Sequence, residues 1–173
     1  MNIVATPMCK DVLELAGIKK FDISSHPDST DADIAVILSE TNTVMKSVKL
    51  KLNTFSQIKE SVEMLQDIFE INEVEKLSFK ININKLENQK IKVRVYSNFL
   101  RDIVEDMGYS LVSQDQNYDY IVYPDYMRNK LSDILLTRDN VVEIPTHKKA
   151  PENPIKRAEM RYKLLEKKIC MKP

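Results

Sequence analysis

The chain has 173 residues, 43% of them hydrophobic and 30% charged, and its 26 Lys and Arg residues balance its 26 Asp and Glu residues. This length and composition are typical of a globular protein with one good core or two small ones. A balanced charge gives no field that would draw the chain to nucleic acid or to an anionic membrane, so neither is predicted as a partner.

The expected localisation follows from features that the sequence lacks. No basic segment precedes a long apolar run at the start, and no apolar stretch approaches the ~20 residues that span a bilayer. The two cysteines, Cys9 and Cys170, are too few and too far apart for a disulfide framework or a CxxC metal site. We therefore expect a cytoplasmic protein.

Glycine is unusually scarce, with only Gly17 and Gly108 in the whole chain. Dinucleotide-binding loops and phosphate loops need several glycines, because the backbone must approach the phosphate closely. Neither motif is present, so standard nucleotide-binding folds are not expected.

The first seventy residues alternate between strand and helix patterns. A short apolar strand precedes a helix that Gly17 ends, and a second strand follows. The segment DADIAVILSE (31–40) predicts a buried strand, and another strand near residue 48 leads into an amphipathic helix. The apolar positions of that last helix are Phe55, Ile58, Val62, Leu65 and Phe69.

The second half of the chain repeats this pattern. KIKVRVYSNFLRDIVEDMGYSLVS places Gly108 after a helical stripe, 91 residues beyond Gly17, and this spacing aligns Val4 with Val95. NYDYIVYPDY (117–126) matches DADIAVILSE at a spacing of 86 residues. We interpret the chain as a duplication; the alternative is that any α/β chain shows a succession of helix, glycine and strand.

The predicted fold is therefore α/β, with two pseudo-repeated β-α-β-β-β-α-like units and a mainly parallel sheet. The first repeat covers residues 1–70, a connecting segment covers 71–90, and the second repeat covers 91–173 with a basic C-terminal helix. We expect that helix to be a solvated outer helix of the second repeat; the alternative is that it contacts a partner or an anionic surface. In such sheets functional groups gather in the loops beyond the carboxyl ends of the strands.

Cys9 is the first candidate functional residue, because it lies in the first turn of a predicted helix, where the helix dipole favours a thiolate. The alternative is a packing role, since free cysteine is among the most buried residue types and the matching residue in the second repeat is Leu100. His147 comes just after a strand, next to Lys148 and Lys149, and is the second candidate metal ligand; the alternative is an exposed loop residue.

Other candidates concern contact with proteins. Interfaces favour Tyr and Arg, so we expect interaction residues on the outer face of the protein. The candidates are Tyr123, Tyr126, Arg128, Arg161 and Tyr162. The spacings show no catalytic triad and no HExxH or DxDxDG motif, so no catalytic residue is assigned.

The segments IVATPMCKDVLELAGI, DADIAVILSET and KLKLNTFSQIKESVEML resemble a small family of proteins from methane-forming archaea, over roughly the first 70 residues. These are similar in kind to the methanogenesis marker proteins that accompany methyl-coenzyme M reductase. Several of those take part in the ATP-dependent reductive activation of its nickel cofactor. The resemblance implies a non-catalytic accessory subunit of that assembly, with the reductase and its activation factors as partners.

Two alternative functions stay open. The first is a metal or iron-sulfur cluster carrier that uses Cys9 with His147; two protein ligands suffice only for a large preformed cluster or one shared with a partner. The second is a small-molecule enzyme in a groove between the repeats, with Glu40, Asp125 or His147 as acid or base.

Overall fold

A computed structural model of the chain describes residues 1–71, 77–79, 83–131, 136–146 and 149–169. The chain forms two compact units, Met1–Phe79 with Asn153–Ile155 and Lys80–Glu152 with Lys156–Pro173. They are called unit 1 and unit 2 below. In the described part of the chain, no helix is long and apolar enough to cross a membrane.

Unit 1 is built on a four-stranded sheet in which every strand is parallel to its neighbours, in the order β2-β1-β3-β4. The strands β1 and β3 are central and almost entirely buried, as expected when helices cover a parallel sheet. The elements are β1 (Ile3–Ala5), α1 (Lys10–Leu15), β2 (Asp22–Ile23), β3 (Ile34–Leu38), β4 (Ser47–Leu50) and α2 (Phe55–Ile68), with 3-10 turns at Pro7–Cys9 and Pro27–Ser29.

Unit 2 has a second four-stranded parallel sheet, in the order β6-β5-β7-β8. The prediction of an α/β fold with parallel sheet is confirmed. The elements are α3 (Lys85–Asn88), β5 (Lys92–Val95), α4 (Asn98–Asp106), β6 (Ser110–Leu111), β7 (Tyr120–Pro124) and β8 (Val141–Ile144), a 3-10 helix at Asp125–Lys130, and α5 (Pro154–Ile169), whose first two residues are counted with unit 1.

Both glycines end a helix in the left-handed backbone conformation, with φ of +84° at Gly17 and +85° at Gly108. In each unit the residue after the glycine donates a backbone hydrogen bond to a carbonyl five residues earlier, which is the Schellman motif. These bonds join Ile18 N to Leu13 O at 3.0 Å and Tyr109 N to Val104 O at 3.1 Å. The two glycines therefore have the same structural role.

The sheet register corrects one detail of the predicted repeat. Val4 is paired with Ala35 and Arg94 with Ile121, so β1 matches β5 at a spacing of 90 residues rather than 91. The predicted match of Val4 with Val95 is therefore wrong, and Val4 corresponds to Arg94. The helix ends still match at 91, because one extra residue stands between β5 and α4.

The first strands of both units begin at an equivalent hydrogen bond. Asn2 N donates to Asp33 Oδ2 at 2.6 Å, and Lys92 N donates to Asp119 Oδ2 at 2.7 Å. Each carboxylate stands just before the third strand of its unit, so it fixes where the first and third strands start relative to one another. The match extends the likeness of the two units from strand order to single side chains.

Apolar side chains from the strands and helices fill the core of each unit. Burying one Leu or Ile side chain contributes about 1.5–3 kcal/mol. The largest fully buried side chains are Leu13, Ile37, Leu50, Ile58 and Leu65 in unit 1, and Leu100, Ile103, Ile121, Ile144 and Leu165 in unit 2.

Candidate functional site

The candidate site lies at the carboxyl edge of the unit 2 sheet. The chain runs from β5 to β6 on one side and then returns to β7 on the other side of β5. At such a reversal the loops after the two central strands diverge and leave a crevice in which ligands of α/β proteins bind. Ser97 follows β5 at this edge, and Asp125 follows β7.

Arg161 is the central cation of this edge. It lies on α5 with only 4% of its surface exposed, and its Nε donates to the carbonyl oxygen of Pro145, just after β8, at 3.1 Å. Its Cζ is 4.8 Å from the centroid of the Phe99 ring, in the first turn of α4. Such a contact between a cation and an aromatic face is favourable and holds the guanidinium beside the start of α4.

The remaining donors of Arg161 are unused within the described residues. A guanidinium carries five N–H donors, and only Nε has a hydrogen-bond acceptor there. No carboxylate of the described residues lies within 4.0 Å of Arg161. Burial, with repulsion from Arg157, lowers the pKa of Arg161 to about 10, against the attraction of Asp125. Arg161 is still cationic at neutral pH.

Arg157 is one helical turn before Arg161 and is 3% exposed. Its Nη1 donates to the carbonyl oxygens of Pro151 at 3.1 Å and of Glu152 at 2.7 Å. These bonds attach the start of α5 to the preceding loop, and the guanidinium adds a second buried positive charge close to Arg161.

Asp125 supplies negative charge at this edge, and both of its carboxylate oxygens have partners. Its Oδ1 accepts from Thr146 Oγ1 at 2.7 Å and from Thr146 N at 3.3 Å, and its Oδ2 is 3.7 Å from Lys149 Nζ. Burial would raise the pKa of Asp125, but the hydrogen bonds from Thr146 and the charge of Lys149 outweigh it and hold that pKa below its ordinary value. Asp125 is therefore an anion at neutral pH.

Ser97 is the N-cap residue of α4, yet its side chain does not cap the helix. Its Oγ is buried and has no hydrogen-bond partner among the described residues. By contrast, Thr54 Oγ1 caps α2 by accepting from Gln57 N at 3.1 Å. Buried hydroxyl groups normally have a partner, so Ser97 is an exception that calls for a physical reason.

Unit 1 has the same arrangement of strands and helices, but it carries a serine at the position that corresponds to Arg161. Ser61 on α2 corresponds to Arg161, because its Oγ donates to the carbonyl oxygen of Lys51, just after β4, at 3.1 Å. The other core-facing positions of the two helices match at the same spacing of 100 residues, including Leu65 with Leu165. The cationic character of this position is thus specific to unit 2.

The predicted interaction residues do not share one surface. Tyr126 is 60% exposed, and the side chain of Arg128 is 65% exposed. Tyr123, Arg161 and Tyr162 are only 3%, 4% and 5% exposed, so the expectation that they lie on the outer face is wrong. The reason is that β7 is a central strand buried on both faces, and that Arg161 and Tyr162 lie among the core-facing positions of α5.

The buried tyrosines make internal hydrogen bonds. Tyr123 OH donates to Glu143 Oε2 at 2.9 Å, and Tyr162 OH donates to the carboxylate of Asp106. Burial raises the pKa of Tyr123, with a further contribution from Glu143 that Arg128 partly offsets. The Nε of Arg128 is 3.1 Å from the same Glu143 oxygen, which fixes its side chain on the surface.

Cys9 is fully buried at the end of the 3-10 turn Pro7–Cys9, and Thr6 Oγ1 lies 3.4 Å from its sulfur. His147 lies outside the described residues, so a metal site that combines the two stays a prediction. Within the described ranges, no group of three or more His, Cys, Asp or Glu residues could hold a metal ion.

The acid or base candidates also stay predictions. Glu40 follows β3 in unit 1 and is exposed, whereas Asp125 is the buried carboxylate of unit 2. The third candidate, His147, is outside the described residues.

Sequence reasoning missed Ser97, Thr146 and the buried state of Arg157 and Arg161. A signal for the two arginines was present, because they occupy the same helical stripe as Ala158 and Leu165. No pattern in the sequence points to Ser97 or Thr146. Comparison of this chain with known protein families, with curated proteins and with solved structures finds no match.

Proposed function

We propose that this chain is a non-catalytic accessory subunit of a multiprotein assembly. The assembly to test first is the one that activates methyl-coenzyme M reductase, to which the resemblance of the first 70 residues points. In this proposal the chain contributes contact surface to its partners in the cell, and the chemistry belongs to them.

The observation that supports it is the pair Tyr126 and Arg128 on the 3-10 helix after β7. Both side chains are mostly exposed, and Glu143 holds Arg128 in place. Tyr and Arg are enriched among the residues that contribute most to binding at protein interfaces, because each combines a large apolar surface with hydrogen-bonding groups. A fixed Arg loses less conformational freedom on binding than a mobile one.

The test is affinity capture with the tagged chain in an anaerobic extract of a methane-forming archaeon. We expect the reductase or its activation factors to elute with the wild-type chain. The double variant Tyr126→Ala with Arg128→Ala should lose them, because it removes both exposed groups and leaves the buried core unchanged.

Leu86→Ala is the matched control, since Leu86 is 77% exposed on α3 and also belongs to unit 2. It should retain the partners. A wild-type chain that elutes alone would overturn the proposal. Retention of all partners by the double variant would show that the contact surface lies elsewhere on the chain.

A further inference from the structure

We propose that the carboxyl edge of the unit 2 sheet binds a small molecule through a phosphate group, which is held between Arg161 and the first turn of α4. This ligand site goes beyond the accessory role, since it concerns a bound small molecule and not a partner surface.

The first step is the state of Arg161. A buried arginine normally has its donors engaged by carboxylates or carbonyl oxygens, because removing the charge from water is costly. Arg161 is 96% buried, yet in the described part of the chain only its Nε has an acceptor. The two Nη groups are not among the buried atoms that lack a partner, so they reach solvent and form a fork of donors with no acceptor among the described residues, a geometry that suits an oxyanion.

The second step is the end of α4. This helix has nine residues, and its N-cap residue Ser97 offers no side-chain bond to the first turn. The N–H groups at the start of a helix favour an anion, through both hydrogen bonding and the helix dipole. The Oγ of Ser97 lies at the same helix end, is buried and has no partner in the described ranges, so it becomes a further donor once its side chain rotates toward the anion.

The guanidinium of Arg161 and the start of α4 lie next to one another. Phe99 belongs to the first turn of α4, two residues after Ser97, and the guanidinium of Arg161 lies against its ring. At the same edge, the carboxylate of Asp125 is engaged by Thr146 and Lys149. Arg157 adds positive charge from the preceding turn of α5.

The number of donors favours phosphate over carboxylate. The fork of one arginine can satisfy both oxygens of a carboxylate, which would leave the hydroxyl and the helix N–H groups unused. A phosphate monoester has three terminal oxygens and accepts from all three kinds of donor at once. Unit 1 supports the assignment as an internal comparison, because the same fold carries Ser61 in place of Arg161.

The test is calorimetric titration of the full-length chain with inorganic phosphate, and separately with acetate, at constant ionic strength. We expect phosphate to bind with a dissociation constant of about 1 mM or lower, and acetate to bind at least about tenfold more weakly. Arg161→Met should weaken phosphate binding about tenfold or more, because it removes the fork. Ser97→Ala should weaken it by a smaller factor.

Lys167→Met is the matched control, since it removes one positive charge from an exposed position of the same helix. It should leave phosphate binding unchanged. The proposal is overturned if the wild-type chain does not bind phosphate, if acetate binds as tightly, or if Arg161→Met binds like the wild type. If Lys167→Met weakens phosphate binding as much as Arg161→Met does, the loss would be explained by net charge alone, and the proposal would also be overturned.

A second measurement does not depend on the folding of a variant. In a ¹H–¹⁵N spectrum of the wild-type chain, phosphate should shift the backbone amide signals of Asn98, Phe99 and Leu100. Shifts confined to other residues would contradict the proposed place. Neither experiment contains a partner protein, so failure here leaves the accessory-subunit proposal untouched, and failure of the capture experiment leaves this one untouched.

Discussion

Gly108 lies so close to Lys85 that a Cβ atom added to the glycine would be 2.8 Å from Lys85 Cβ and 2.9 Å from Lys85 Cα. Contacts this short do not occur between real side chains, and the backbone atom of α3 cannot rotate away. Gly108 therefore has two reasons to be glycine: its left-handed backbone and the close approach of α3.

Gly108→Ala should consequently destabilise unit 2 more than Gly17→Ala destabilises unit 1. A left-handed conformation costs an alanine about 1–2 kcal/mol, and at Gly108 the contact with Lys85 adds to that cost. All seven tyrosines lie in unit 2, so tyrosine fluorescence during urea unfolding reports on that unit, while far-UV circular dichroism follows both. A larger loss for Gly17→Ala would contradict the close packing at α3.

The N-cap residues of α2 and α4 give a second matched pair. Thr54→Ala should lower the free energy of unfolding of unit 1 by about 1 kcal/mol, because it removes the bond that Gln57 N donates. Ser97→Ala should change that of unit 2 by much less, since its hydroxyl makes no bond in the described part of the chain. Urea unfolding in phosphate-free buffer measures both. An equal loss in Ser97→Ala would indicate that its Oγ has a structural partner.

Arg161→Met probes the cost of the buried charge. Replacing a buried ion by an apolar side chain of similar length is often neutral or stabilising, because the ion no longer has to leave water. We expect the free energy of unfolding of unit 2, without phosphate, to fall by no more than about 1 kcal/mol, the usual contribution of the lost bond to Pro145. A loss several times larger would show that Arg161 is held for the fold itself.

The general fold was accessible from the sequence, because hydrophobic periodicity and the two glycines are local signals. The buried strands β3 (Ile34–Leu38) and β7 (Tyr120–Pro124) lie within the predicted segments 31–40 and 117–126, and the helix ends at Gly17 and Gly108 are where the patterns placed them. The extra residue before α4 cannot be seen in the sequence, because the two glycines define only the spacing of 91 residues between the helix ends. The spacing of 90 residues between β1 and β5 is shown by the pairing of β5 with β7.

The candidate site was much less accessible. Charged side chains usually face water, and periodicity alone does not override that rule, so the sequence predicts Arg161 on the outside. Its place became clear only from a non-local contact, the bond to Pro145 across sixteen residues of chain. The same holds for Asp125 and Thr146, which two different strands bring together at one edge of the sheet.

The charge of Asp125 should make the stability of unit 2 depend on pH in acid. Its pKa in the folded chain is lower than the ordinary value of 3.8, so its charge contributes stability that is present above that value and is lost as the pH falls through the folded pKa. Asp125→Asn keeps an oxygen for Thr146 but removes the charge that Lys149 and Arg161 attract. At neutral pH we expect the variant to be about 1–2 kcal/mol less stable than the wild type.

Because the pKa of Asp125 is lowered in the folded chain, the difference in free energy of unfolding between the wild type and Asp125→Asn should shrink as the pH falls. As the pH falls through the folded pKa of Asp125, which lies below 3.8, the wild-type carboxylate becomes protonated, so its advantage over Asp125→Asn should shrink toward zero in strong acid. Asp22→Asn, on the exposed edge strand β2, is the control and should follow the wild type throughout. Urea unfolding by tyrosine fluorescence from neutral pH to pH 2 measures the difference. A constant gap across that range would mean that Asp125 acts through its shape and hydrogen bonds and that its charge adds nothing.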